Sequence, residues 1–82
     1  MFAANQRHKT PDVNLAFGRT ALLFDRLDVA ALSNELLHHF DKEAVALLGL
    51  ARRSGDPAKL EFAQKIFKEV RAETVHRELH PR

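Results

Sequence analysis

Ser54-Gly55-Asp56-Pro57 decides how this chain folds, because it closes one long apolar-striped segment and opens another within four residues. Glycine takes the left-handed conformation that ends a helix without a Cβ penalty. Aspartate supplies a short acceptor for the next helix, and proline tolerates the first helical position, where its missing N–H is not needed. So short a connection returns the second helix antiparallel to the first. The C-terminal two-thirds of the sequence therefore reads as a helical hairpin, in which residues i and about 110 − i lie level.

Upstream of the corner, Val29, Leu32, Leu36, Phe40, Ala44, Leu47, Leu48 and Ala51 keep helical phase. The spacing predicts one helix over 28–53, about 37 Å long at 1.5 Å per residue, unbroken through Phe40-Asp41-Lys42-Glu43. Downstream, Leu60, Ala63, Phe67, Val70 and Thr74 form a seam widened by Phe62 and Ile66, predicting a helix over 57–79. Its solvent face carries Glu61/Lys65 and Glu73/Arg77 at the favourable four-residue spacing. The span from Leu50 to Val70, with Gly55, Ala63 and Phe67, is similar to one helix–turn–helix unit of a tetratricopeptide-type repeat. A single unit of a fold that stacks in threes implies shared hairpin physics and no kinship.

A third, shorter helix is predicted over 11–27, opened by Thr10-Pro11-Asp12. Val13, Ala16, Phe17, Thr20, Leu23, Phe24 and Leu27 share one face; Leu15 and Leu22, one heptad apart, point the other way. The main stripes of the first two helices lie on nearly opposite sides, so a turn near Leu27-Asp28 is needed, with Asp28 as cap. The alternative is one continuous helix that buries Leu15, Leu22, Val29 and Leu36 in a partner. Residues 1–10 are polar and aperiodic and read as a flexible arm ahead of a single helical domain over 11–82.

The 82 residues include no cysteine, and their formal net charge is only +2. A disulfide framework and thiolate metal sites are thereby excluded. A domain this small has a modest core, so self-association becomes a plausible source of stability. The first nine residues lack the apolar run of a signal peptide, and no segment has the roughly 18 apolar residues of a membrane span. A cytoplasmic protein without membrane contact is the expectation.

Chemistry-bearing patterns are sparse. His76 and His80 share a helix face with Glu73, a spacing compatible with zinc. The acid in His76-Arg77-Glu78-Leu79-His80 stands at the wrong place for a metalloprotease motif, and a solvated polar face is the expected reading. Serine occurs only at 33 and 54, and neither is in a nucleophile setting. Cofactors, metal and catalysis are accordingly not expected. Arg52, Arg53, Lys59, Lys65, Lys68 and Arg71, joined by Arg7 and Lys9, make a candidate basic stripe for nucleic acid. Carboxylates interleave with them, and every phenylalanine but Phe2 sits on an apolar stripe, away from any stacking platform.

What remains is apolar surface without an assigned neighbour. Leu15 and Leu22 face away from the first helix's core, with Phe17 and Phe24 as possible anchors beside them. Ala31, His38 and Val45 form a second heptad line near Gly49, and Phe62 and Ile66 flank the third helix. A first helix of about 17 residues cannot cover a 37 Å hairpin, so part of the groove should stay open. The sequence thus points to an all-α, three-helix protein that binds a protein partner or itself, as a homo-oligomer, in an adaptor, chaperone or regulator role. Nucleic-acid binding is the alternative.

Overall fold

The computed structural model describes residues 12–79. Within them lie three α-helices and no strand: α1, Val13–Leu22; α2, Asn34–Ser54; and α3, Pro57–Leu79, with a 3₁₀ turn at Val29–Ala31 between the first two. The arm expected over 1–10, with Arg7 and Lys9, lies outside the described residues, as does His80.

The corner forms as its residues dictate. Gly55 sits at φ 72°, ψ 9°, and its N–H reaches the Arg52 carbonyl. The Ser54 hydroxyl donates to the Ala51 carbonyl at 2.7 Å and accepts the Asp56 N–H at 3.1 Å. Asp56 then caps α3 by accepting the Ala58 N–H at 2.9 Å, and its second oxygen takes Lys59 Nζ at 3.3 Å. The Ala58 hydrogen bond first, and Lys59 after it, hold the Asp56 carboxyl below its ordinary value.

From the corner, α2 and α3 run side by side. Ala44, Ala63 and Ala51 are buried between them, together with the fully enclosed Leu47 and Val70. Ala44 and Ala51, one heptad apart on α2, and Ala63 on α3 let the backbones approach, and the two larger side chains fill the spaces between. Asp41 pairs with Arg71 and Asn34 with Arg77 across the hairpin, matching the predicted levels. Of the expected four-residue pairs, Glu73–Arg77 forms at 2.8 Å. Glu61 and Lys65 form no ion pair among the described residues.

The link between the first two helices differs from expectation. Asp12, itself the cap, accepts the Leu15 N–H, and α1 begins at Val13. It stops at Leu22, where the backbone tightens into i→i+3 bonds from Leu23, Phe24 and Asp25, and Arg26 turns left-handed at φ 59°. α2 starts six residues later than the predicted 28, because Ser33 and not Asp28 is its cap; Ser33 Oγ accepts the Leu36 N–H at 3.1 Å. Asp28 precedes only the 3₁₀ turn and makes no side-chain cap bond. A turn therefore separates the helices, and the seven-residue series from Leu15 to Leu36 is not a continuous stripe. Val29 and Leu32 still pack on the core, which explains why they kept apolar phase without being helical.

α1 lies on one face of the hairpin and runs from corner to mouth. Phe17 meets the Phe62 ring edge-to-face at 6.2 Å near the corner, and Phe24 meets Phe40 at 5.5 Å. The turn is then clamped by Arg77, whose guanidinium donates to Glu73, to Asn34 Oδ1 and to the Ala30 carbonyl. One planar fork thus joins α2, α3 and the turn, a geometry that lysine does not reproduce.

Three measurements test this account. Leu47→Ala should destabilise the domain by about 2–5 kcal/mol in chemical denaturation. Gly55→Ala should cost about 1 kcal/mol from the backbone alone, because nothing lies within 4 Å of the position a Cβ would take. Asp56 has a depressed pKa in the folded state, so its contribution is in place at neutral pH and is lost on acidification through the carboxylate range. Melting temperature should therefore fall more between about pH 5 and about pH 3 in the wild type than in Asp56→Asn, which keeps the cap acceptor but cannot ionise.

Candidate interaction surfaces

The outward side of α1 is an exposed apolar surface. Leu15 is 53% and Leu22 71% exposed, one heptad apart and opposite the buried Phe17 and Phe24. Gly18 lies between them with open space beyond its α-carbon. Asp12, Arg19, Asp25 and Arg26 surround the leucines, so the patch is electrically balanced. Exposed Leu23 extends it toward the turn.

Several residues proposed from sequence take other places. Phe17 and Phe24 are core residues and cannot anchor a partner, because α1 delivers the first ring and the turn after it the second into the hairpin. Ile66 is half-buried against the same core. Phe62 remains 42% exposed although one face of its ring meets Phe17. Ala31 is exposed but belongs to the 3₁₀ turn, so the line it was expected to share continues only through His38 and Val45 on α2.

The basic residues also divide. Lys59 pairs with Asp56 and stands 5.9 Å over the Phe17 ring, on the side that α1 covers. Arg71 donates to both oxygens of Asp41 and stacks 4.8 Å from the centre of the Phe67 ring. Arg52, Arg53, Lys65 and Lys68 are exposed and join no ion pair among the described residues. These six cations therefore do not form one stripe.

The face expected along Val45 and Gly49 is uncovered among the described residues, and it takes in one residue not assigned to it from sequence, Phe67. Phe40 and Phe62 turn toward α1; five residues further along each helix, about 140° round, stand Val45 and Phe67. They sit level across the hairpin, one turn beyond the Asp41–Arg71 pair, on the side away from α1. Val45 is 48% exposed and Phe67 partly so. The matched five-residue step was the available signal, and counting Phe67 only as seam obscured it.

Two grooves lie among the described residues. At the mouth, Asn34, His38, Asp41, Thr74, Arg77 and Glu78 line a hollow of about 330 Å³. Its polar groups largely serve the fold: Arg77 clamps the turn, Asp41 holds Arg71, and Thr74 donates to the Val70 carbonyl. The other, of about 420 Å³, lies between the turn at Asp28–Ala30 and α3 at Glu69 and Glu73. Among the described residues no three His, Cys, Asp or Glu side chains gather as a metal-binding group. No described helix is long and apolar enough to cross a membrane. No protein family, curated protein or solved structure matches this chain.

Proposed function

We propose that this protein is a non-catalytic interaction module that binds a second polypeptide helix through the outward face of α1. The observation that carries this reading is the exposure of Leu15 and Leu22 on the side of α1 opposite its core. Each leucine buried on association contributes roughly 1.5–3 kcal/mol, a large sum for so small a domain. The balanced charge around the pair supports an apolar contact over an electrostatic one.

A second copy of the chain satisfies this surface directly. Leu15 and Leu22 lie symmetrically about the Gly18–Arg19 midpoint, so an antiparallel pairing of two α1 helices sets Leu15 of one copy against Leu22 of the other. The contact is then isologous, as a two-fold axis requires. Gly18 at the crossing lets the two backbones approach. α1 is only about 15 Å long, so the contact falls below the roughly 800 Å² per partner of a standard interface. Association is accordingly weak and concentration-dependent.

Sedimentation velocity across a concentration series tests the reading. The wild type should shift toward dimer as concentration rises. Leu15→Glu combined with Leu22→Glu should stay monomeric, with stability changed by no more than about 0.5 kcal/mol because both sites are exposed. A wild type that sediments as a monomer throughout, indistinguishable from the double variant, would overturn self-association through α1.

A further inference from the structure

We propose that the hairpin face turned away from α1 is a docking surface for an acidic amphipathic helix. This face is distinct from the α1 leucines, and the proposal does not depend on them. Val45 and Phe67 form its apolar centre, level with each other across α2 and α3. Gly49 follows Val45 by one turn on the same side, and nothing stands within 4 Å of where its Cβ would be. A helix can therefore settle close to the α2 backbone, with its apolar side on Val45 and Phe67.

The rim selects the charge of that helix. Lys42 and Arg52 lie one turn to either side of the Val45–Gly49 strip, and Lys68 lies beside Phe67 on α3. All three are exposed and enter no ion pair among the described residues. The nearest acid, Asp41, is already neutralised by Arg71 at 2.7 Å. On α3, Glu61 shares the side of Lys68, and Glu78 stands farther along toward the mouth. The rim thus carries an excess of positive charge around a strip of exposed apolar surface.

That combination discriminates among occupants. The chain's own first eleven residues carry Arg7 and Lys9 and no acid, so they have the wrong sign. A second copy docked by this same face would oppose cation to cation. Nucleic-acid phosphates would match the rim but leave Val45 and Gly49 unused. An amphipathic helix with glutamates flanking its apolar stripe satisfies both the centre and the rim.

The test uses the full chain and two synthetic peptides of about 18 residues. One carries leucine at three- and four-residue steps with glutamate elsewhere, and the other replaces every glutamate by lysine. The glutamate peptide should move backbone amide resonances in α2 around Lys42–Arg52 and in α3 around Gln64–Arg71, while the lysine peptide moves neither. Lys42→Glu with Lys68→Glu should raise the Kd about tenfold or more with an unchanged circular dichroism spectrum. Val45→Ser, which changes no charge, should also weaken binding. Leu15→Glu with Leu22→Glu should leave binding intact, which separates this surface from the α1 face. Absence of binding, equal binding of the lysine peptide, or shifts confined to α1 would overturn the proposal. So would a single-stranded oligonucleotide that binds these cations more tightly than the glutamate peptide and is indifferent to Val45→Ser.

Discussion

The close approach of α2 and α3 is the constraint on which the rest of the structure depends. Alanines at 44, 51 and 63 leave so little side chain between the backbones that Leu47 and Val70 fill the remaining space completely. This spacing is meaningful only because the Gly55 corner fixes the level of one helix against the other. A slip of one residue would rotate an alanine out of the contact and a larger side chain into it. The cross-hairpin pairs Asp41–Arg71 and Asn34–Arg77 report the same alignment from the solvent side. As exposed pairs they refine the alignment, while packing supplies most of the stabilisation.

A two-helix hairpin has two faces and α1 covers one of them. Phe17 on the ten-residue helix meets Phe62, and Phe24, in the tightened turn just after it, meets Phe40. Beyond Leu22 the chain has no need to remain helical along the hairpin. It has to cross the mouth and enter α2, and it does so through a left-handed Arg26 and a 3₁₀ turn held by Arg77. Among the described residues this covers the first face, leaves the opposite face open and turns Leu15 and Leu22 outward.

The two surfaces differ in electrostatic character. Around Leu15 and Leu22 the charges cancel, which favours a neutral apolar contact. Around Val45 and Phe67 the unpaired cations are not cancelled, which favours an acidic partner. The two proposed contacts together would make the protein bivalent, joining its own copy on one side and a target on the other. Neither contact requires catalytic groups, and the histidines and carboxylates of the described residues are dispersed in capping, pairing and solvation.

How much of this was legible depends on the range over which each residue acts. Gly55, Asp56 and Pro57 declare the corner by their own backbone chemistry, and the apolar period declares α2 and α3, because both effects operate within a few residues. The outward direction of Leu15 and Leu22 was equally readable, since it needs only helical phase. The start of α2 was not, because Asp28 and Ser33 are both competent caps, and Val29 and Leu32 keep an apolar phase that serves core packing without a helix. Local propensity could not choose between them; the Arg77 clamp and the path across the mouth do. Nor could spacing alone separate Phe17 and Phe24, which are enclosed, from Val45, which is open, for that depends on which face of the hairpin α1 occupies. Periodicity tells which residues share a side of one helix, whereas burial is a property of what stands opposite, and only three-dimensional packing supplies that.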